Sequence, residues 1–170
     1  MIAVSDASPL HYLILLGHVD VLGALFERVL VPGAVLTELQ HPDAASLVKD
    51  WFLSMPPWIS VEHGPVPDFF NVPVNLHAGE TQAMYLAHHR QASVVLLDDF
   101  DACQAAEQNG LKAVGTLRLL AEGSFAGMLS LPEAFARLKQ TNFRASERLH
   151  ATLLAETAAP VIGSHLSRLC

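Results

Sequence analysis

The chain is organised around one segment, Ser93-Val94-Val95-Leu96-Leu97-Asp98-Asp99-Phe100-Asp101, in which four apolar residues lead directly into three carboxylates. A short continuous apolar run is typical of a strand that is buried on both faces. Residues 102–109 have a helical pattern, and Gly110 can end that helix. We therefore expect the three acids where a buried strand meets the next helix. In open parallel α/β sheets, ligands bind at that edge, beyond the carboxyl ends of the strands.

The length and composition indicate one globular domain. The 170 residues are 51% hydrophobic, which suits a chain that buries a sizeable core. The pattern predicts one domain over residues 1–158 and a C-terminal tail over residues 159–170. No apolar run reaches about 18 residues, so no membrane-spanning helix is expected. The two cysteines have no paired spacing, which makes a reducing cytoplasm the default compartment.

The net charge limits the kinds of nucleic-acid contact that the protein can make. The formal charge of −7 argues against a nonspecific nucleic-acid coat, because phosphate binding draws on Lys and Arg. It does not exclude a nuclease, since an acidic cluster that has bound divalent cations presents positive charge. The best candidates for phosphate contacts are Arg90, Arg118, Arg137 and Arg144.

Apolar strand patterns alternate with helical patterns along the chain. The predicted strands are at 2–5, 28–31, 59–61, 94–97 and 112–114. The predicted helices are at 10–16, 18–26, 32–40, 42–54, 77–90, 102–109, 117–122, 131–140 and 146–156. Residues 64–73 contain three prolines and a glycine, and they are interpreted as an ordered loop. This alternation predicts an α/β fold with a central, mainly parallel sheet that is flanked by helices.

Carboxylates occur at four places near a predicted strand end or helix start: Asp6, Glu38, Glu80, and the group Asp98, Asp99 and Asp101. Asp6 follows the first strand directly. The two glutamates lie on apolar helix faces, where a carboxylate is costly unless it is paired or bound to a metal. In a parallel sheet with right-handed crossovers, all four places can converge on one edge.

Converging carboxylates indicate a metal site and hydrolysis. They repel one another, and a hard divalent cation relieves that repulsion; ligation by oxygen alone suits Mg²⁺ or Mn²⁺. Ions held in this way can orient a phosphodiester and activate water, so the expected chemistry is metal-assisted hydrolysis without a covalent intermediate. The structural alternative is that an Asp at a strand–helix junction only caps the helix, and that a lone Glu extends to solvent.

A set of short motifs, taken in order and spacing over about residues 2–156, resembles the PIN-domain family. The motifs are Val4-Ser5-Asp6-Ala7-Ser8-Pro9-Leu10, Val31-Pro32-Gly33-Ala34-Val35 with Glu38, Gly79-Glu80-Thr81-Gln82-Ala83, Leu96-Leu97-Asp98-Asp99, Gly110-Leu111-Lys112-Ala113-Val114-Gly115-Thr116 and Phe143-Arg144-Ala145-Ser146. Within that family, the chain is most similar to a compact prokaryotic PIN-like domain of unknown function. This group is related to the toxins of VapC-type toxin–antitoxin pairs.

The resemblance implies a three-layer fold and a metal-dependent ribonuclease. The family's acidic site maps onto Asp6, Glu38, Glu80 and Asp99. Asp98 is the neighbour usual in this group and Asp101 is a candidate outer ligand, so the implied metal ligands are Asp6, Glu38, Glu80, Asp98, Asp99 and Asp101. Glu80 departs from the wider pattern, because many relatives have an Asp that is one bond shorter. Ser8 either positions Asp6 or a water, or caps the first helix.

We expect the protein to be an Mg²⁺- or Mn²⁺-dependent endoribonuclease that hydrolyses RNA phosphodiester bonds. The resemblance also suggests that it is the toxin of a toxin–antitoxin pair. Its expected partners are single-stranded or structured RNA, a cognate antitoxin protein and a second copy of the chain. The homodimer is expected because Val19, Leu22, Phe26 and the aromatics around Trp51 supply apolar surface beyond one small core. The alternatives are a noncatalytic PIN-like RNA- or protein-binding module, and a phosphatase or other metal hydrolase, since fold does not fix the substrate.

Overall fold

The computed structural model describes residues 1–64, 75–145 and 147–158. Within these residues, the centre of the fold is a five-stranded sheet in which every neighbouring pair of strands is parallel. The strands are β1 (Ile2–Ser5), β2 (Arg28–Pro32), β3 (Ile59–Glu62), β4 (Val94–Leu96) and β5 (Ala113–Val114). All five were predicted from the sequence, with ends that differ by a residue or less.

Helices connect and follow these strands. They are α1 (Ala7–Leu16), α2 (Asp20–Leu25), α3 (Gly33–Leu39), α4 (Ser46–Trp51), α5 (Ala78–His89), α6 (Phe100–Gln108), α7 (Thr116–Phe125), α8 (Leu131–Leu138) and α9 (Glu147–Ala158). The helix predicted over 42–54 is shorter, because α4 begins only at Ser46 and passes into a 3-10 turn at Phe52–Ser54. Most of the predicted loop over 64–73, and the whole of the predicted tail over 159–170, lie outside the described residues.

The side chains of the strands divide the core into two layers, one on each face of the sheet. On β1, Ala3 packs with residues of α1, α2, α4, α7, α8 and α9, whereas its neighbour Val4 packs with α5 and α6. On β4, Leu96 and Val95 divide in the same way. Successive side chains of a strand point to opposite faces, so this division shows that helices cover both faces. The three-layer α/β fold expected from the sequence is confirmed.

The order of the strands places a topological switch point beside β1. The sheet order is β3-β2-β1-β4-β5, so the chain builds outward from β1 on one side and then crosses to the other. Ser5 of β1 lies in register with Leu96 of β4, and the Asp6 N–H donates a hydrogen bond of 3.0 Å to the Leu96 carbonyl. Ligands of such sheets bind at this reversal, beyond the carboxyl ends of the strands. Asp6, Asp98 and Asp99 leave the sheet there.

The apolar residues around α2 belong to the core of the monomer. Val19, Leu22 and Phe26 are buried against the sheet, so the expectation that they supply a surface for a second copy is wrong. They are buried because α2 and α7 pack against each other over the same face of the sheet. Among the described helices, none combines the length and the apolar character that crossing a membrane requires.

Candidate active site

Asp6 is one of the two buried carboxylates in the group at the carboxyl edge of the sheet, and only 8% of it is exposed. Burial is the largest cause that raises its pKa, to about 7. The backbone N–H groups of Ala7 and Ser8 oppose the rise, whereas the charges of Glu80 and Glu38 add to it. Asp6, not Ser8, is the N-cap residue of α1, because the helix already begins at Ala7. The capping role expected of Ser8 is therefore wrong.

The backbone of Gly79, in the first turn of α5, separates Asp6 from Glu38. A Cβ atom at this position would lie 2.9 Å from Asp6 Oδ1, 3.3 Å from Val35 Cγ2 and 3.4 Å from Glu38 Oε2. A single point in space thus lies within 3.4 Å of oxygens from two carboxylates of different elements. Only a residue without a side chain leaves that space to the two acids.

Glu80 is buried, with 7% of it exposed, as the apolar face of its helix predicted. Its Oε2 accepts a hydrogen bond of 2.8 Å from the His77 N–H at the start of α5. Burial raises the pKa of Glu80, the His77 N–H opposes the rise, and the charges of Asp99 and Glu38 add to it. Glu80 therefore caps its own helix and faces the other acids at the same time, and its burial contradicts the alternative that it extends to solvent.

Glu38 is exposed, which corrects the expectation that it shares a buried helix face with Val35. The reason is the length of α3, which ends at Leu39, so Glu38 lies in the last turn at the open edge of the sheet. Its Oε2 nevertheless lies beside Gly79, and its charge raises the pKa of Asp6. Glu38 thus forms the solvent-facing side of the acidic group.

Asp98 faces β5 and α7 rather than the other acids. Its Oδ1 accepts a hydrogen bond of 2.7 Å from the Thr116 N–H, and its Oδ2 accepts one of 2.6 Å from Thr116 Oγ1. Burial raises the pKa of Asp98 to about 6, and the two bonds from Thr116 oppose the rise. With each oxygen accepting a hydrogen bond from Thr116, Asp98 fastens the end of β4 to the start of α7, and its role as a metal ligand stays a prediction.

Asp99 and Asp101 are both exposed at the start of α6. Asp99 is the N-cap of that helix, and its Oδ1 accepts a hydrogen bond of 3.0 Å from the Ala102 N–H. Its charge also raises the pKa of Glu80, which places it with the acidic group. Asp101 instead accepts a hydrogen bond of 3.3 Å from Asn75 Nδ2. The capping alternative holds for Asp99, and it coexists with a place among the acids.

The structure thus brings four carboxylates into electrostatic contact: Asp6, Glu38, Glu80 and Asp99. Their oxygen-only chemistry and their uncompensated negative charge fit a hard divalent cation such as Mg²⁺ or Mn²⁺. Among the described residues, however, no three His, Cys, Asp or Glu side chains are close enough to enclose one ion. The acids fit a metal by donor type and charge, and their spacing is wider than that of a closed cage.

Sequence reasoning missed three positions around the acids. Gly79 was noted only as part of a motif, although its missing side chain is what lets the two carboxylates meet. Thr116 follows a short strand, which is the signal that could have placed it at the same edge as Asp98. His11 of α1 faces Glu38, whose charge raises its pKa, while burial lowers the pKa by more. Arg118 is wrong as a phosphate contact, because it is buried and paired with Glu122 and Glu156.

Comparison with known proteins identifies the family to which this fold belongs. A family model described as a PIN domain matches residues 2–159. Among solved structures, the fold is similar to a PilT N-terminus domain protein from the hyperthermophilic archaeon Sulfolobus solfataricus P2, with 18% identity and a TM-score of 0.51 over 71% of this chain and 92% of that chain. No curated protein matches significantly. The family match spans nearly all of the described chain, and the protein belongs to the PIN-domain family.

Proposed function

We propose that the protein is an Mg²⁺- or Mn²⁺-dependent endoribonuclease that hydrolyses RNA phosphodiester bonds. The observation that carries this proposal is the meeting of Asp6, Glu38, Glu80 and Asp99 at the switch point of a nuclease-type fold. The resemblance to VapC-type toxins favours a role as the toxin of a toxin–antitoxin pair, with a cognate antitoxin protein as partner. Binding of that antitoxin and homodimer formation stay predictions, which light scattering with and without the partner would check.

Each acid has a distinct task in the proposed reaction. A divalent cation supplies the positive charge that polarises a phosphodiester and lowers the pKa of water. Asp6 and Glu38 present oxygens to the same side of Gly79, and these two carboxylates would hold such a cation. The N–H groups of His77 and Ala102 fix Glu80 and Asp99, so these two carboxylates keep their orientation when the cation arrives. Asp6 carries a proton over much of the range below its pKa of about 7, and it must release that proton to act as a ligand.

The proposal is tested with Mn²⁺ titrated calorimetrically into the wild-type protein, Asp6→Asn and Asp99→Asn, beside a cleavage assay on fluorescent single-stranded RNA with and without EDTA. We expect both variants to lose Mn²⁺ binding and cleavage, because each removes one charged ligand. Asp20→Asn, an exposed change on α2, is the matched control and should retain both activities. Wild-type Mn²⁺ affinity and cleavage in both folded acid variants would refute the proposal.

A second candidate is a noncatalytic PIN-like module that binds RNA or a protein without cutting. It is favoured by the finding that no three acidic or metal-binding side chains of the described residues enclose one ion. RNA binding that neither EDTA nor Asp6→Asn alters, together with no cleavage at millimolar Mn²⁺, would support this module over the nuclease.

A further inference from the structure

A cleft of about 280 Å³ lies beside α5. It is bounded by the carboxyl ends of β2 and β3 and by the solvent-facing side of α5. The polar and aromatic side chains that line it are those of Glu62, His63, Gln82, Tyr85, His89 and Arg90. None of the four grouped acids lines it. A volume slightly below the usual range of small-molecule pockets, about 300–1,000 Å³, suits a single flat group better than an extended ligand.

One wall of the cleft is an aromatic surface. The rings of Tyr85 and His89, one turn apart on α5, are stacked with centroids 5.7 Å apart and planes inclined by 14°. Unpaired bases stack on aromatic side chains, histidine included, because every base has a flat π-face. The near-parallel rings give the cleft the kind of surface on which a base binds.

The edge of the cleft combines a donor with an acceptor. The Arg90 guanidinium donates to Glu62 Oε2 through Nε at 2.9 Å and through Nη2 at 2.6 Å, and both side chains retain solvent contact, with 50% of Arg90 and 22% of Glu62 exposed. A guanidinium has five N–H donors, and two of them are used here. The carboxylate disfavours a phosphate at this edge, whereas a base presents donors and acceptors that match the pair. The charge pattern therefore favours a base over a phosphate.

The cleft is connected to the acids by the packing of α3 against α5. At the cleft, the Ala34 N–H donates a hydrogen bond of 3.2 Å to Gln82 Oε1, and the ring of His63 lies against Gly33, where a Cβ atom would collide with it. At the acidic end, Glu38 lies beside Gly79. Ala34 and Glu38 are four residues apart on α3, about 6 Å along the helix axis. A strand of RNA that reaches the acids can therefore also place a neighbouring base in the cleft.

We propose that this cleft binds an unpaired nucleobase of the RNA strand that the acids cleave. The inference rests on the proposed nuclease function and adds a position at which the substrate is read. The base stacks on Tyr85 and His89, and its polar edge meets Arg90 and Glu62. Unpaired bases are the usual targets of sequence-dependent RNA recognition. The base that binds in this cleft would thus help to determine the RNA sequence at which cleavage occurs.

The test uses the four nucleoside 5′-monophosphates as probes and inorganic phosphate as the comparison, each titrated into the metal-free, ¹⁵N-labelled protein. We expect amide shifts around the cleft with at least one nucleotide and none with phosphate. Tyr85→Ala should weaken that binding about tenfold or more, since one base stack has this effect. His88→Ala is the matched control, because this exposed neighbour of His89 does not line the cleft. Unchanged affinity in Tyr85→Ala, or phosphate binding as strong as nucleotide binding, would overturn the proposal.

Further variants separate the cleft from the nuclease proposal and from misfolding. Tyr85→Leu keeps apolar bulk without a ring, and His89→Ala removes an exposed ring, so these two serve if Tyr85→Ala does not fold. On RNA, cleft variants should raise KM while kcat and Mn²⁺ binding stay at the wild-type level. Asp99→Asn should lose cleavage and keep nucleotide binding. If the protein cleaves RNA and the KM is the same in the wild type and in the Tyr85 variants, the base-binding proposal is refuted and the nuclease proposal stands. If the protein binds nucleotides but shows no metal-dependent cleavage, the nuclease proposal is refuted and the base-binding cleft stands.

Discussion

Replacing Gly79 with alanine tests whether the meeting of Asp6 and Glu38 is functional. The added Cβ would lie 2.9 Å from Asp6 Oδ1, whereas ordinary contact begins at 3.4 Å. The Asp6 carboxylate must therefore move by about half an ångström. It has little room to do so, because Asp6 is buried and closely packed atoms surround it. Functional constellations must be held to within about 0.5 Å. We expect Gly79→Ala to weaken Mn²⁺ binding about tenfold, since changes to the groups that orient metal ligands typically cost about 10–100-fold in metal affinity.

The effect on folding should be smaller than the effect on the site. Crowding of a packed position costs about 1–3 kcal/mol in the free energy of unfolding, and the better helix propensity of alanine returns up to about 1 kcal/mol. The change in stability should therefore be a loss of about 2 kcal/mol or less. Thermal unfolding measures this change, and calorimetry with Mn²⁺ measures the site.

The matched control is Ala78→Gly, which changes helix propensity in the same turn at an exposed position. It should cost about 0.5–1 kcal/mol of stability and leave Mn²⁺ affinity unchanged. If folded Gly79→Ala binds Mn²⁺ within about twofold of the wild type, the reasoning that places the cation between Asp6 and Glu38 is refuted.

Three further outcomes follow from buried polar groups. Burial, with the charges of Glu80 and Glu38, raises the pKa of Asp6 from 3.8 to about 7, so between these values the folded state binds more protons than the unfolded state. The ion-free protein should lose stability as pH rises through that range, and Asp6 accounts for at most about 4 kcal/mol of the loss. Urea unfolding at about pH 5 and about pH 7.5 measures the loss, and Asp6→Asn should make the profile shallower while the contributions of Asp98 and Glu80 remain. Thr116→Val removes the hydrogen bond from Thr116 Oγ1 to Asp98 and keeps the one from the backbone N–H, so it should cost about 1–3 kcal/mol, with unchanged Mn²⁺ affinity; a loss of metal binding in the folded variant would show that the contact between Thr116 and Asp98 supports the metal site. Arg118→Ala removes the ion pair of buried Glu122 and should lower the free energy of unfolding by about 3–5 kcal/mol. Amide exchange in α9 should become faster, because Glu156 loses its ion pair with Arg118 too. Arg118→Lys should restore little of the stability, since lysine lacks the guanidinium fork.

The sequence predicts the sheet well because its strands carry local signals. The run from Val94 to Leu97 is apolar on both faces, and β4 is indeed covered by helices on both sides. The position of Asp6 follows from the same logic, since an acid directly after a parallel strand must leave the sheet at its carboxyl edge. Strand existence and edge position are local properties, and they were confirmed.

The details of the candidate site depend on distant residues, and these could not be predicted. The orientation of Asp98 is decided by Thr116, which follows another strand and is 18 residues away. The exposure of Glu38 depends on where α3 ends, which helical spacing from Val35 does not specify. The space beside Gly79 exists only because α3 and α5 pack together. Such pairings are products of tertiary structure.

Because β1 lies in the middle of the sheet, the acidic group is completed late in the synthesis of the chain. Asp6 and Asp99 leave neighbouring strands, yet more than ninety residues separate them in the chain. While a ribosome is still making the middle of the protein, β1 has β2 on one side and an open edge on the other. The acidic group is complete only after β4 has paired with that edge. A nascent fragment that ends before β4 would contain Asp6, Glu38 and Glu80 but lack Asp99, and its open strand edge would be a target for aggregation or for a chaperone.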